Sequence, residues 1–307
     1  MYDLAIIGGG PAGVAAGVYA SRKQLKTVFI TENFDGQSVV SEGIENWIGT
    51  IKISGRDLSD NLKKHLMAYA GDIVAIKQGH RVDSIVKNGE QDFTVKVGDA
   101  TYSAKAVLIT TGSSRRKLDA KGADIFEHKG LTYCASCDGP LYAGTDVAVV
   151  GGGNAAFESA AQLLAYCKSV TLVNRTDKLR ADEVTVAKVL SHPNMRLVNS
   201  AIVTEVKGDK FVSALVYTDT TSNKSVELPL AGIFVEIGLI PSTDFLKGIV
   251  ELSAYNQIVV DPRTQQSKTY GIWAAGDCCD GLYHQNNIAA GDAVRALEDI
   301  YVHLKAK

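Results

Sequence analysis

Short apolar runs interrupted by glycines recur along the chain, and one arrangement occurs twice. Residues 3–34 open as DLAIIGGGPAGVAAGVYASR and continue to KTVFITEN. Residues 146–175 open as DVAVVGGGNAAFESAAQLLA and continue to KSVTLVNR. Each copy predicts a β-branched strand, a glycine turn, an Ala-rich helix and a second strand, which is how a dinucleotide-binding unit begins. One deletion apart, the copies align: Asp3 with Asp146, Gly8 with Gly151, Glu32 with Asn174.

Between the copies, TYSAKAVLITTGSS predicts a strand ending at Thr111-Gly112. After the second copy, Leu197–Thr204 and Phe211–Tyr217 predict further strands, followed by GIFVEIGLIPST. The chain then runs through YGIWAAGD to a helix with Val294, Leu297, Ile300, Tyr301 and Leu304 on one face. This last segment lacks the glycine spacing of a third unit and reads as the tail of the first domain. The expected fold class is therefore α/β, with two Rossmann-like dinucleotide-binding domains, the second inserted into the first. Residues 1–114 and 242–307 are expected to form the first, discontinuous dinucleotide-binding domain. Residues 115–241 are expected to form the second, inserted one, with linkers near Ser113–Leu118 and Gly238–Thr243.

In the first loop Gly8, Gly10 and Gly13 supply G-x-G-x-x-G. The first glycine permits the turn, the second lets a pyrophosphate reach the backbone, and the third lets helix and strand pack closely. The helix N-terminus offers its free N–H groups to the phosphates. Glu32, at the end of the second strand, suits a ribose hydroxyl, its bland alternative being a solvated loop carboxylate. In the second loop Gly151, Gly153 and Ala156 give the G-x-G-x-x-A variant. Asn174 replaces the ribose acid, with Arg175 and Arg180 close by. A carboxylate would repel a 2′-phosphate and arginines can pair with one, so the pattern favours NADPH, with NADH as the alternative. The arginines could equally decorate a surface turn.

Cys134 and Cys137 form a Cys-x-x-Cys pair just upstream of the second unit. A two-residue spacer lets the thiols close a small ring and favours thiolate at the attacking sulfur. Asp138 is adjacent and able to exchange protons. The alternatives are a structural disulfide, half a zinc site or idle thiols. Zinc needs four ligands, and the histidines are scattered without paired spacing, so no metal site is expected. Cys167 is expected on the apolar side of the Ala/Leu helix. Cys278 and Cys279 are vicinal, where a disulfide ring is strained.

Composition alters this picture little. At 307 residues, 46% hydrophobic and 21% charged, the chain suits two globular domains. Its net charge of −2 gives no general attraction to nucleic acid or an anionic membrane. No basic leader and no apolar run of about 18 residues is present. Five cysteines are too few for a secreted disulfide scaffold. The expectation is a cytoplasmic protein bound to neither nucleic acid nor membrane.

Hydride leaves a nicotinamide as two electrons, which a disulfide accepts only slowly without a flavin between them. Two dinucleotide loops and a cysteine pair thus imply FAD, NAD(P)H and a thiol–disulfide product, with FAD expected in the discontinuous first domain and NAD(P)H in the inserted second one.

The chain resembles the low-molecular-weight thioredoxin reductases over essentially its whole length, and also the C-terminal portion of the alkyl hydroperoxide reductase flavoprotein subunit. The resemblance is carried by GGGPAG at 8–13, IENWIG at 44–49, YCASCDGPL at 133–141, GGGNAA at 151–156, and AAGD with Tyr283 and Gln285. It implies a homodimer with non-covalent FAD. It makes Cys137 the flavin-side sulfur, Cys134 the sulfur that attacks a partner disulfide, and Asp138 the acid/base. It places Pro11 and Ala12 of the first loop, with Gln37, Asn46, Thr111, Gly112, Gly276, Asp277, Gln285 and Asn286, at the flavin. It places Asn154 and Ala155 of the second loop at the nicotinamide dinucleotide.

Three positions depart from the thioredoxin reductase pattern. His-Arg-Arg-x-x-x-Arg reads Asn174-Arg175-Thr176 and then Arg180, which weakens the case for NADPH. Gly-Gly-Gln reads Asp35-Gly36-Gln37, and Tyr-Arg-Gln reads Tyr283-His284-Gln285. The segments at 137–141 and 232–241 lean toward the peroxide-linked protein. That protein carries an extra N-terminal domain with its own cysteine pair, whereas this chain opens at the first strand. The expected partner is a separate thioredoxin or thioredoxin-like protein. The alternatives are an NADH- or ferredoxin-driven reductase of a thioredoxin-like or peroxiredoxin-system partner, and a ferredoxin/flavodoxin–NADP reductase-like flavoprotein.

Overall fold

Alternation along the first strand already dictates a sheet buried on both faces. In the computed structural model, which describes residues 1–41 and 43–305, the strand Tyr2–Ile7 sends Leu4 and Ile6 into one apolar cluster and Ala5 and Ile7 into another. Its parallel neighbours Thr27–Thr31 and Ala100–Ile109 split the same way, Phe29 and Leu108 to one side, Val28 and Ile30 with Val107 and Ile109 to the other. Period-two alternation of apolar residues on both faces is the signature of a sheet covered on both sides.

Contacts divide the chain into two compact units. One comprises Met1–Glu42, Trp47–Ser114 and Ile240–Lys307; the other comprises Gly43–Asn46 and Arg115–Leu239. In the first unit the sheet runs Val74–Gln78, Thr27–Thr31, Tyr2–Ile7, Ala100–Ile109, Asp92–Val97, Ser84–Gly89. The first four strands are parallel and the last two form an antiparallel arm. Ile272–Ala274 joins in parallel beside the end of Ala100–Ile109, so the C-terminal segment completes the sheet that the N-terminus began. The helices Pro11–Arg22, Gly55–Ala70 and Asn286–Lys305 bury Val14, Val18, Leu66, Leu297 and Ile300 in one cluster with Phe29 and Trp273. Their apolar stripes are what turn three amphipathic helices into one layer.

The second unit has a wholly parallel sheet in the order Met195–Val198, Ser169–Val173, Asp146–Val150, Gly232–Val235, Leu131–Thr132. Val147, Val149 and Phe234 pack with Phe157 of the helix Asn154–Leu163. The opposite face, with Ala148, Val150 and Ile233, packs on a three-stranded antiparallel sheet formed by Ala201–Gly208, Val212–Asp219 and Lys224–Pro229.

Two local expectations need correction. The single strand expected over 197–204 is two strands in different sheets, Met195–Val198 and Ala201–Gly208, broken at Ser200, whose φ is +52°. Left-handed backbone turns the chain from one sheet into the other, which hydropathy cannot show. Cys167 is buried as expected, but it follows the helix rather than riding on it, because that helix ends at Leu163.

Candidate active site

In the first unit a cleft of about 410 Å³ opens at the carboxyl ends of the parallel strands. It is lined by Gly8, Gly10, Pro11, Ala12, Glu32, Gln37, Thr111, Gly112, Gly276, Asp277 and Asn286. Gly13 stands behind the loop. A Cβ there would lie 1.9 Å from the Gly8 carbonyl oxygen, so only glycine lets the helix seat against the turn. A Cβ at Gly10 would meet nothing within 4 Å. That open position caps Pro11–Arg22 without any side-chain hydrogen bond, so the first N–H groups of the helix stay available to an anion.

The far side of the cleft is a polar relay. Gln37 Nε2 donates to Ser113 Oγ at 3.0 Å and to Asp277 Oδ2 at 3.2 Å. His284 Nδ1 lies 3.5 Å from Asp277 Oδ1. Asn286 Nδ2 donates to Ser38 Oγ at 2.9 Å. Thr111 Oγ1 donates to the Ser242 carbonyl at 2.8 Å, holding one rim. Asn46 and Gln285 are not among the residues lining this cleft, and Asn46 groups with the second unit. Sequence reasoning did not single out His80 and Arg81, which do line it. The one available signal was their place just after Val74–Gln78, at the carboxyl edge of the same sheet.

In the second unit Gly153 repeats the role of Gly10. It caps Asn154–Leu163 with no side-chain bond, and a Cβ there meets nothing within 4 Å. Asn154 does more than sit in the loop: its Oδ1 accepts from the Asp182 backbone N–H at 2.8 Å. Asn174 is buried and turned inward. Its Nδ2 donates to the carbonyls of Thr176 and Lys178 and to Asn199 Oδ1. It braces the turn that carries Arg175 and Arg180, both exposed, and the Arg180 N–H donates to the Gly152 carbonyl at 2.7 Å.

Cys134 and Cys137 are joined as a disulfide, with Cα atoms 5.3 Å apart. Cys134 caps the single turn Ala135–Asp138, its Sγ accepting from the Cys137 N–H at 3.2 Å. Helix-terminal N–H groups favour negative charge on that sulfur once it is a thiolate. Thr132 Oγ1 donates to Asp138 Oδ2, fixing the carboxyl beside the pair. Burial, with the Asp138 charge adding to it, pushes the neighbouring Tyr142 phenol up.

The other cysteines are built differently. Burial pushes the Cys167 thiol up to about 11, and Cys278 and Cys279 are buried in the core of the first unit. Alkylation of the native oxidised protein at about pH 7.5 should label none of these three, because burial closes access to all of them and also holds the Cys167 thiol in its protonated form. Mass spectrometry checks this; modification of Cys167 within minutes would contradict it. Among the described residues no cluster of three or more His, Cys, Asp or Glu is placed to hold a metal, and no helix is long and apolar enough to cross a membrane.

Residues 2–293 match the family of pyridine nucleotide-disulphide oxidoreductases. The chain belongs to that family. Membership makes it an oxidoreductase and implies the use of a flavin and a pyridine nucleotide. The thioredoxin reductase of Giardia duodenalis matches it with a TM-score of 0.91 at 32% identity, over 100% of this chain and 99% of that one. That of Streptococcus pyogenes MGAS5005 gives 0.89 at 31%, with the same coverage. These likenesses make the chain a thioredoxin reductase-like flavoprotein disulfide oxidoreductase. An alkyl hydroperoxide reductase protein of Xanthomonas campestris pv. phaseoli is 40% identical over 99% of this chain and 57% of its own length. A Bacillus subtilis (strain 168) protein named NADH dehydrogenase is 36% identical over 96% of this chain and 57% of its own length. The chain thus spans less than three-fifths of these curated relatives.

Proposed function

We propose that this oxidoreductase moves electrons from NADPH, through FAD and the Cys134–Cys137 pair, to the disulfide of thioredoxin or a thioredoxin-like protein. The observation that carries the reading is the closed Cys134–Cys137 disulfide, with Asp138 anchored beside it, in the same compact unit as the second glycine loop. A reducible sulfur pair and a dinucleotide loop on one unit suit a protein that receives and passes on electron pairs.

The residues of the first unit fit FAD. Gly10 leaves the space a pyrophosphate needs, and the start of Pro11–Arg22 supplies N–H donors. Glu32 offers a carboxylate for a ribose, and Gln37 with Asp277 present polar groups for the ribityl chain. When bound, the flavin supplies the coupling between hydride and thiol chemistry. The residues of the chain do the rest. Cys137 takes the flavin side of the pair, Cys134 attacks the partner disulfide, and Asp138 holds or gives the proton that each thiol exchange needs. The protein is proposed to act as a cytoplasmic homodimer.

A second reading keeps the chemistry and changes the donor to NADH. It is supported by Asn174, whose amide is committed to bracing its own turn, and by the name of the Bacillus relative. Stopped-flow reduction of the bound flavin by each nucleotide separates the two. Under the NADPH reading, Arg175→Ala with Arg180→Ala raises the KM for NADPH about tenfold and leaves NADH unchanged. Equal loss with both nucleotides would favour NADH. Flavin that neither nucleotide reduces would end the nicotinamide reading.

A further inference from the structure

Parallel α/β sheets bind their ligands at the carboxyl edge, where the strand order reverses. In the second unit that reversal falls at Asp146–Val150, which has Ser169–Val173 on one side and Gly232–Val235 on the other. The adenosine half of a dinucleotide belongs to the first side, where Asn174, Arg175 and Arg180 lie. The other side is left for the nicotinamide half, and its first residue past the strand end is Glu236.

Glu236 is built into the wall of that crevice. Its N–H donates to the Val150 carbonyl at 2.8 Å, and a Cβ on Gly151 would lie 2.3 Å from its carbonyl oxygen. Its side chain is half-buried. Oε1 accepts from Ser159 Oγ at 2.7 Å, Ser159 itself being buried on the helix Asn154–Leu163. Among the described residues Oε2 receives no hydrogen bond. A carboxylate partly withdrawn from water is costly unless it is bonded, and this one has a single protein donor. No packing need at a strand end calls for an acid.

We propose that Glu236 is a specificity-determining residue for the nicotinamide end of the dinucleotide, its carboxylate favouring the oxidised, cationic ring over the reduced, neutral one. The inference rests on the reading that the second unit binds a nicotinamide dinucleotide. Its physical basis is charge: an ionised carboxylate attracts a pyridinium ring more than a dihydropyridine, and a neutral carboxyl does not discriminate by charge.

The groups that face Glu236 make this discrimination depend on pH. Burial raises its pKa to about 7; the Ser159 hydrogen bond and the Arg115 charge pull it down, and Glu158 pushes it up. The carboxyl is therefore neutral below that pH and ionised above it, so preference for the oxidised ring grows as pH rises through about 7. By linkage, binding the oxidised nucleotide near neutral pH releases a fraction of a proton and binding the reduced one does not.

The test is equilibrium titration of the FAD-loaded, oxidised enzyme by calorimetry. The probes are NADP⁺, its redox-inert 1,4,5,6-tetrahydro form and 2′-phospho-ADP-ribose, with the NAD series run alongside. The first two share every phosphate, so the ratio of their affinities reports the ring alone. That ratio should rise about three- to tenfold between roughly pH 6 and pH 8, and stay flat in Glu236→Gln. Ser159→Ala removes a bond that favours the charged form, so it should move the midpoint upward; it also serves if the Gln variant fails to fold. A flat ratio in the native enzyme, an unchanged slope in Glu236→Gln, or an unmoved midpoint in Ser159→Ala overturns the proposal. If neither truncated ligand, 2′-phospho-ADP-ribose nor ADP-ribose, binds, the nucleotide reading fails instead.

Discussion

Cys137→Ser should lower turnover with a thioredoxin-type disulfide by about a thousandfold or more, while the bound flavin is still bleached by reduced nicotinamide. The size of the effect follows from the chemistry. The pair accepts two electrons by breaking one S–S bond, and a lone sulfur offers no such bond to break. Cys134 and Cys137 share one short turn, so the substitution disturbs little else: Cys134 would still cap Ala135–Asp138, and Thr132 would still hold Asp138. Stopped-flow absorbance follows the flavin, and a coupled insulin-reduction assay follows the partner. Retention of partner reduction within about tenfold of the native rate would show that electrons leave the flavin by a path that avoids these sulfurs.

Gly10→Asp should yield a folded but colourless protein. Gly10 has φ −72° and ψ −173°, a conformation open to any residue, and its Cβ would meet nothing within 4 Å. The backbone therefore tolerates a side chain. What changes is the space in front of the helix Pro11–Arg22, where a carboxylate would take the place a pyrophosphate needs and repel it. The combined steric and charge effect should weaken flavin binding roughly a hundredfold or more. The ratio of flavin to protein absorbance reads the loss, and circular dichroism shows that the fold persists. Full flavin occupancy in this variant would place the phosphates elsewhere. Gly13→Ala is the contrasting case: its Cβ would collide with the Gly8 carbonyl at 1.9 Å, so that change should damage folding as well as binding.

Much of the machinery was legible because its signals are local. A glycine turn between a strand and a helix is specified within about a dozen residues by period and by turn chemistry. The first and second loops stand at residues 8–13 and 151–156, where their spacing puts them. The two-residue spacer between Cys134 and Cys137 likewise suffices to let the sulfurs meet. The final helix could be read from its apolar face, and Leu297 and Ile300 are buried.

Other features arise only when distant segments meet. Ile272–Ala274 reaches Ala100–Ile109 across more than half the chain, and no periodicity announces that pairing. His80 and Arg81 border the cleft only because Val74–Gln78 adds to the edge of the same sheet. Asn174 reads as a missing acid in sequence, yet its amide holds three acceptors within its own turn and beside it. Glu236 is one more charged letter until the fold buries it, which raises its pKa to about 7 against the hydrogen bond from Ser159 that pulls it down. The sequence alone determined the two glycine loops, the sulfur pair and the α/β class, since each depends on neighbours along the chain. Tertiary structure alone decided which polar groups are buried, what they face and how they titrate. Burial and the electric field at a side chain are set by whatever folds against it from elsewhere in the chain.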